Sequence, residues 1–312
     1  MDFVGFSTVS LPHIHIGRSK KMKIARVWSD KLGDTYGIIS EDGNRLVSKS
    51  DFQEQTGIPI PHSIKEFLFK GWIDEVTKNL PLISFSHQVE EVHLLTPIPD
   101  PSKIICLAFN YYDHARDAGL APSDEPVIFI KPRTALNDPF NDIICPSFVK
   151  RLDYEAEIAV IIGKDVKKVE PENALECVFG YMIMHDVSAR DIQFKDKQFT
   201  RGKSIDTFAP CGPWITTKDE VEDPQNLRIM TKVNGEIRQN SSSSKMVISI
   251  KNIISSLSRI MTLEAGDIIS TGTPAGVAMS MKEPKYLKDG DIVEISIENL
   301  GMIRNRIVFE SA

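Results

Sequence analysis

The spacing of hydrophobic and polar positions predicts a small module followed by a larger, strand-rich one. In residues 22–95, short runs of alternating pattern separated by turn residues predict strands. The stretch 63–80 has helical spacing and begins at Ser63, with Glu66 three residues later, so it predicts one helix with a capping box. The segment 96–103 is rich in proline and polar residues, which is typical of a linker.

Beyond the linker, strand patterns dominate. Eight apolar or alternating runs predict strands, at 103–109, 125–132, 157–163, 179–186, 212–217, 227–240, 267–273 and 291–309. Asn234 and Gly235 lie between two such runs and predict a hairpin turn. Helical spacing returns after Ser249 and, with a weaker pattern, over 189–199. Strands and helices do not alternate regularly, so the pattern disfavours a doubly wound parallel sheet and predicts an α+β, β-rich domain.

We therefore expect three parts in the chain. Residues 1–21 form a poorly ordered N-terminal extension, residues 22–95 a small α/β domain, and residues 96–312 the β-rich domain. In the extension the positive charges follow the apolar stretch, which is the reverse of the order in a secretory signal. Asp2 also disfavours a mitochondrial presequence.

Composition and charge limit the classes of function that the chain can have. The 312 residues are 41% hydrophobic and 26% charged, which suffices for a large core, and the net charge of −6 argues against a duplex nucleic-acid partner. No apolar run has the length of a membrane span. The four cysteines are far apart in sequence, so no zinc-type spacing occurs, and isolated thiols favour a reducing compartment. We expect the cytoplasm, with the mitochondrion as the alternative.

An acidic pattern precedes one of the apolar strands. The stretch RLDYEAEIAVIIGK places Asp153, Glu155 and Glu157 at alternate positions, which share one face if the stretch is a single strand. Such a face is either a hydrated strand edge or half of a site for a hard divalent cation. Asp186 ends another apolar run, as a further ligand or as a helix cap. His185 would point the other way, which favours a core or supporting role.

Three further motifs carry possible chemistry. In NYYDHARDAG, His114 and Asp117 share a helix face, so the acid could orient the imidazole as a general base; an exposed surface helix is the alternative. In TRGKSIDTFAPCGPW, Lys203 could stabilise an oxyanion or simply be solvated. STGTPAG lacks the ending of a Walker motif, although its N–H and hydroxyl groups could bind a carboxylate. No G-x-S-x-G nucleophile elbow occurs.

Taken in order, the motifs resemble the fumarylacetoacetate hydrolase superfamily. The resemblance runs from about Ile104 to Val308 and is carried by NYYDHA, EPVIFIKP, DYEAEIAVIIGK, GYMIMHDVSARDIQ, TRGKSIDTFAPCGPW, VNGEIRQN, MTLEAGDIISTGTPAGV and GDIVEISIENLGMIRNRIV. The insert KEPKYLKDGD is similar to members that act on oxaloacetate as decarboxylases or keto–enol tautomerases. Acylpyruvases are close relatives.

The resemblance implies a mixed, β-roll-like catalytic domain with a small N-terminal domain, assembled as a homodimer. It implies Mg²⁺ or Mn²⁺ held by Glu155, Glu157 and Asp186, with Lys203 stabilising the negative charge of an enolate or oxyanion. It also implies three residues near the carboxylate and oxo groups of a small 2-oxo acid substrate: Arg190, Gln193 and Thr273.

The resemblance places His114 on a lid, paired in the family with a glutamate three residues later. That position is Asp117 here, one methylene shorter, which changes the geometry of the pair. We therefore expect the shorter acid to impair activation of water for hydrolysis more than enolisation. We expect a metal-dependent enzyme of 2-oxo or 2,4-dioxo acids that works through an enolate, by decarboxylation, acylpyruvate hydrolysis or tautomerisation. His114, Asp117 and Lys203 are the expected catalytic residues. A 2-oxo-dienoate hydratase and an inactive metal-binding relative are the alternatives.

Overall fold

The computed structural model describes residues 21–69, 71–117, 119, 121 and 123–311. Apart from Lys21, the predicted extension lies outside the described residues. The strands are β1 (Lys23–Ser29), β2 (Gly33–Ile39), β3 (Arg45–Ser48), β4 (His87–Gln88), β5 (His93–Leu95), β6 (Ile104–Ala108), β7 (Val127–Lys131), β8 (Leu136–Asn137), β9 (Ile143–Cys145), β10 (Leu152–Asp153), β11 (Ala156–Ile162), β12 (Val178–His185), β13 (Ser188–Ala189), β14 (Ala209–Thr217), β15 (Arg228–Val233), β16 (Glu236–Ser242), β17 (Ile268–Ser270), β18 (Ile292–Ile297) and β19 (Gly301–Phe309).

The helices are short and lie mostly between strands. They are α1 (Lys49–Thr56), α2 (Ile64–Phe69), α3 (Ile73–Asn79), α4 (Tyr112–Asp117), α5 (Pro171–Ala174), α6 (Arg190–Asp196), α7 (Thr200–Lys203) and α8 (Ile250–Ile260). Single 3₁₀ turns cover Leu80–Leu82, Val89–Glu91, Arg133–Ala135, Leu175–Cys177, Lys218–Glu220, Ser243–Lys245 and Ala278–Ser280. No helix in the described part of the chain has the length and apolar character needed to cross a bilayer.

One large mixed sheet organises the fold. Its main path runs β4-β3-β2-β1-β14-β12-β11-β17-β6-β7, with β5 paired to β1 and β8 to β14. Strands β17 and β6 are parallel, whereas β11 and β12 are antiparallel. The sheet includes strands from both predicted domains, because β1 pairs with β14. The domain boundaries themselves stay a prediction.

Two apolar cores lie on opposite faces of β11. Ile158 and Val160 pack into the core shared with the second sheet and α8, whereas Ala159 and Ile161 pack into the core shared with α1 and α2. The second sheet has the order β16-β15-β18-β19-β9. Because both faces of β11 are covered, its seven residues are all buried. The predicted α+β, β-rich fold is confirmed.

Several local predictions hold, one is wrong, and the condition for a shared acidic face is not met. Asn234 and Gly235 form the β15–β16 turn with positive φ at both residues, and the helix after Ser249 is α8. The predicted helix over 63–80 is instead two helices, because Gly71 adopts φ +66° between α2 and α3. The stretch 151–163 is not one strand, since β10 pairs with β13 and β11 with β12.

Candidate active site

Three carboxylates converge where two neighbouring inner strands of the large sheet, β11 and β12, meet at their ends. Glu155 immediately precedes β11, Glu157 is its second residue, and Asp186 follows β12. The antiparallel register brings the start of β11 beside the end of β12, and the Asp186 N–H donates to the Glu155 carbonyl at 2.9 Å. One carboxylate oxygen from each of the three lies within 4.8 Å of the others, and all three residues are buried. The structure therefore brings together the ligand set that the resemblance implies.

Asp153 is buried beside this triad but faces other partners. Its carboxylate accepts hydrogen bonds from Arg190 Nε at 2.9 Å and from the backbone N–H groups of Ala278 and Met279 at 2.8 and 3.1 Å. Asp153 is separated from Glu155 and Glu157 by the break between β10 and β11. It supports the site through its bond to Arg190 and, because it is buried, is not part of a hydrated strand edge.

Two buried lysines contact the triad. Lys203 Nζ, at the end of α7, lies 2.6 Å from Glu155 Oε2 and 2.5 Å from Asp186 Oδ2. Lys131 Nζ, at the end of β7, lies 2.6 Å from Asp186 Oδ1. Sequence reasoning missed Lys131, because a lysine before a proline at a strand end is usually solvated. The signal available was its register, two residues after the buried Phe129.

Arg190 joins two of the carboxylates. Its NH2 group donates to Glu155 Oε1 at 2.5 Å, its Nε donates to Asp153, and its NH1 donates to Gln193 Oε1 at 3.0 Å. Both Arg190 and Gln193 lie on α6 and are buried. Each of the three guanidinium nitrogens already has a protein partner, so Arg190 holds the site together from within.

Thr273 lies in the loop after β17 and borders the cavity. Its Oγ1 donates to the Ala156 carbonyl at 2.9 Å and accepts from Gln239 Nε2 at 2.9 Å. Gln239 Oε1 in turn accepts from the Ala156 N–H at 3.1 Å. The hydroxyl proton of Thr273 is therefore used inside the protein. Gln239, which lies within the motif VNGEIRQN, had no predicted role.

The charges of this region do not balance. We name as the buried charge cluster four carboxylates and three cations, whose formal charges sum to minus one when all seven groups are ionised: Asp153, Glu155, Glu157, Asp186, Lys131, Arg190 and Lys203. Burial alone would raise the pKa of Glu155, but the cations of Lys203 and Arg190 hold it well below its ordinary value. Burial alone would lower the pKa of Lys203, but Asp186 and Glu155 hold it above its ordinary value.

Glu157 differs from the other members of the cluster. Its Oε2 accepts from Ser270 Oγ at 2.5 Å and from the Gly272 N–H at 2.9 Å. Its Oε1 is buried and has no hydrogen-bond partner among the described residues. Burial and the neighbouring carboxylates of Asp186 and Glu155 raise the pKa of Glu157 to about 8. An unpartnered oxygen in an all-carboxylate donor set fits a hard divalent cation, which the three acids could hold.

His114 forms the opposite wall of the site. It lies on α4, is buried, and stacks on Phe109 with ring centroids 5.8 Å apart. Asp113 anchors this helix. Its Oδ1 accepts hydrogen bonds from the His114 N–H at 2.9 Å and from the Ala275 N–H at 3.3 Å. Lys245 Nζ lies 3.1 Å from its Oδ2. Burial lowers the pKa of His114 below its ordinary value. The imidazole is therefore neutral at pH 7.

The expected pairing of His114 with Asp117 is not present in this structure. The Nδ1 atom of His114 has no hydrogen-bond partner in the described chain. The Asp117 side chain is 32% exposed, and its Oδ1 lies 3.7 Å from Nε of the neighbouring Arg116. Asp117 thus faces outward, as in the surface-helix interpretation, while His114 faces inward.

His185 has the supporting position that its place in the strand predicts. It is fully buried at the end of β12 and lies opposite Ala156 on β11. Burial and the Lys131 cation lower its pKa to about 3. A neutral His185 contributes no charge to the cluster.

A small cavity lies beside His114 and three members of the buried charge cluster. Its volume is about 20 Å³, and it is lined by Leu107, Ala108, Phe109, His114, Glu155, Arg190, Gln193, Phe199, Lys203, Thr273 and Met279. That space holds about one water molecule, so a larger ligand enters only after part of the wall moves. A groove of about 1000 Å³ lies elsewhere, beside Trp28, His93 and Phe140, and no member of the buried charge cluster lines it. The small cavity is the candidate active site, because the convergent charges border it.

Comparison with known proteins identifies the family. The family model described as fumarylacetoacetate (FAA) hydrolase C-terminal matches residues 103–308. The chain therefore belongs to the fumarylacetoacetate hydrolase family, and it is an enzyme of that family.

Individual relatives cover nearly the whole chain. A protein named oxaloacetate tautomerase FAHD2A, mitochondrial, from Bos taurus is 38% identical over 298 residues, 93% of each chain. A fumarylacetoacetate hydrolase structure from Exiguobacterium antarcticum has a TM-score of 0.76 and 36% identity, covering 93% of this chain and all of that one. A structure titled 5-carboxymethyl-2-hydroxymuconate delta-isomerase from Mycobacterium smegmatis has a TM-score of 0.74 and 35% identity, with the same coverage.

Proposed function

We propose that the chain is a divalent-metal-dependent tautomerase of oxaloacetate, which interconverts the keto and enol forms of this 2-oxo acid. The observation that carries this proposal is the combination of an acid triad contacted by Lys203 with a His114 that has no carboxylate partner in the described part of the chain. Enolisation needs a stabilised negative charge and a proton carrier. Hydrolysis needs, in addition, an activated water.

The residues implied by the resemblance have specific tasks in this proposal. Glu155, Glu157 and Asp186 would hold Mg²⁺ or Mn²⁺, which when bound supplies Lewis-acid polarisation of a 2-oxo acid's carbonyl. Lys203 places its ammonium against the oxygen that gains negative charge as the C3–H bond breaks. The neutral imidazole of His114 can accept the C3 proton, while the C–H electron pair forms the C2–C3 double bond and the carbonyl oxygen takes the negative charge of an enolate. Return of that proton to the enolate oxygen gives the enol and restores the neutral imidazole.

The charge of the site favours an anionic substrate. The buried charge cluster carries one negative charge, and a divalent cation would reverse its sign. Oxaloacetate carries two carboxylates, so it would be attracted to the loaded site. The three residues that the resemblance implies near the substrate, Arg190, Gln193 and Thr273, all line the cavity. Because the polar groups of Arg190 and Thr273 already have protein partners, these two would act mainly by fixing the walls.

Decarboxylation of oxaloacetate and hydrolysis of acylpyruvates pass through the same enolate and are the competing reactions. Tautomerisation leaves the carbon skeleton intact, whereas both competitors release pyruvate. The relatives named above as a tautomerase and as a delta-isomerase favour the reaction without bond cleavage between carbons. The outward position of Asp117 also disfavours hydrolysis.

One experiment separates these reactions. Purified protein is given oxaloacetate or acetylpyruvate with Mg²⁺, with Mn²⁺ or with EDTA, and loss of enol absorbance and release of pyruvate are followed separately. We expect enol loss from oxaloacetate without matching pyruvate, abolished by EDTA and by Glu157→Gln. Pyruvate as the main product would replace the proposal with a decarboxylase or an acylpyruvase. Inactivity on both substrates, with turnover of a 2-oxo-dienoate, would indicate the hydratase, and inactivity on all three the inactive relative.

Assembly and compartment are separate proposals. The homodimer stays a prediction that sedimentation velocity can check. For the compartment, the cytoplasm is predicted from the thiols, and the bovine relative's name gives the mitochondrion. Microscopy of a C-terminal fluorescent fusion decides between them.

A further inference from the structure

Lys131 is a buried cation for which neither the sequence motifs nor the proposed reaction supplies a role. Its side chain is fully buried at the end of β7, and its Nζ lies 2.6 Å from Asp186 Oδ1 and 3.5 Å from the Val187 carbonyl. Lysine is almost never fully buried unless it is paired, because desolvation of the ammonium is unfavourable. The ion pair to Asp186 is therefore the reason that this side chain can be charged in the core.

The position of Lys131 makes Asp186 unlike the other two acids of the triad. Lys131 occupies Oδ1 and Lys203 occupies Oδ2, so Asp186 has a cation on each oxygen. Among the described residues, Glu157 has no cation within hydrogen-bond distance; its partners there are the Ser270 hydroxyl and the Gly272 N–H. The triad therefore has an acidic side at Glu157 and a neutralised side at Asp186.

We propose that Lys131 is a positioning residue whose positive charge, held against Asp186, weakens divalent-cation binding and keeps the loaded site attractive to a doubly charged acid. The inference rests on the proposed function. With Lys131, a divalent cation brings the buried charge cluster to a net charge of plus one. Without Lys131, the same cation would only neutralise the cluster, and the attraction for a dianion would be lost.

Removal of the Lys131 charge should strengthen the binding of Mn²⁺ and weaken the binding of oxaloacetate. A merely structural role would not produce these opposite effects. Lys131→Met should bind Mn²⁺ about tenfold or more tightly, because a buried like charge beside the triad is removed. The same variant should show a higher KM for oxaloacetate, with a smaller change for the singly charged acetylpyruvate. Lys131→Arg keeps the charge and should retain a Mn²⁺ affinity close to that of the wild type.

The chain offers a matched control. Lys103 Nζ lies 2.8 Å from the buried carboxylate of Asp267, outside the buried charge cluster. Lys103→Met also leaves a buried acid without its lysine, so it should lower stability while leaving Mn²⁺ affinity unchanged.

The test is calorimetric titration of the full-length metal-free protein with Mn²⁺ alone, together with melting temperatures in EDTA and in Mn²⁺. We expect Lys131→Met to have a lower melting temperature than the wild type in EDTA. Addition of Mn²⁺ should raise the melting temperature of the variant more than that of the wild type. If Lys131→Met binds Mn²⁺ as the wild type does, or more weakly, the proposal for Lys131 is wrong and the proposed function stands. If the wild type binds no Mn²⁺, both proposals are wrong. Should Lys131→Met not fold, a tenfold change of affinity in Lys131→Arg would overturn the charge argument.

Discussion

The side-chain amide of Gln239 donates a hydrogen bond of 2.9 Å to the hydroxyl of Thr273. Because the Thr273 hydroxyl donates a hydrogen bond to the Ala156 carbonyl, the two side chains join β16 to the strand that carries Glu157. The loop after β17 and the triad are therefore held in one fixed arrangement before any ligand arrives.

Removing the Thr273 hydroxyl should damage this arrangement. Thr273→Val should lower the free energy of unfolding by about 1–3 kcal/mol, because buried partners on Ala156 and Gln239 lose a hydrogen bond. Thr273→Ser should retain both stability and KM. Urea denaturation and steady-state kinetics check this. A raised KM in Thr273→Val with unchanged stability would show instead that the hydroxyl contacts substrate.

Glu157 should make the metal-free protein less stable as the pH rises. Its folded-state pKa of about 8 is above the ordinary 4.5, so the folded state binds the extra proton between these values. The contribution to stability is present below about pH 4.5 and is lost as the pH rises toward 8. Glu157→Gln cannot titrate, so the difference between the two proteins should change over this range.

The measurement is urea denaturation of wild type and Glu157→Gln in EDTA at several pH values between these limits. Taking the difference removes the contribution of groups that titrate in both proteins. If the free energies of unfolding of the two proteins changed with pH in parallel, the assignment of Glu157 as a buried acid without a neutralising cation would be wrong.

His114 should matter for tautomerisation and Asp117 should not. His114→Ala removes the proposed proton carrier and should lower kcat/KM for oxaloacetate about 10²–10⁴-fold. Asp117→Ala, on the exposed side of the same helix, should stay within about twofold of the wild type. Equal losses in both variants would mean that the pair forms during turnover.

The dependence of rate on pH should reflect the burial of His114. Because burial lowers its pKa, the imidazole stays neutral, and able to accept a proton, below its ordinary value of 6.5. We expect kcat/KM to hold as the pH falls through 6.5 and to decline only at lower pH. A decline centred at or above 6.5 would mean that His114 is solvated in the active enzyme. The profile is measured with Mg²⁺ held saturating.

Arg190 should behave as a structural brace. Arg190→Met leaves Asp153 and Glu155 buried with less compensation and should destabilise the protein by about 3–5 kcal/mol. Arg201→Met, which removes an exposed ion pair with Asp196, is the control and should melt as the wild type does. Wild-type stability in Arg190→Met with a raised KM would restore the predicted role in substrate binding.

Local sequence pattern predicted the elements whose causes are local. Asn234 and Gly235 specify their turn through backbone preference, and the apolar spacing after Ser249 specifies α8. The break between Asp153 and Glu155 had no such signal, because it arises when β10 pairs with β13, a strand far along the chain.

The site was predictable only in part, for a related reason. The triad came from motifs whose order resembles the family, and the structure brings those acids together. Lys131 and Gln239 act through contacts 55 and 34 residues away in sequence, with Asp186 and Thr273. The register of Lys131 relative to Phe129 predicts which face of the strand it lies on, but the partners of Lys131 and Gln239 are revealed only by the three-dimensional arrangement.

The pairing of β1 with β14 has a consequence for how the molecule moves. Beside that ladder, the Thr217 N–H donates to the Met22 carbonyl and the Met22 N–H donates to the Thr217 hydroxyl, each at 2.9 Å. Movement of the N-terminal module away from β14 would break backbone hydrogen bonds within one sheet, so we do not expect such a movement to admit substrate. We expect the six-residue helix α4, which carries His114, to move instead while the paired strands keep their places.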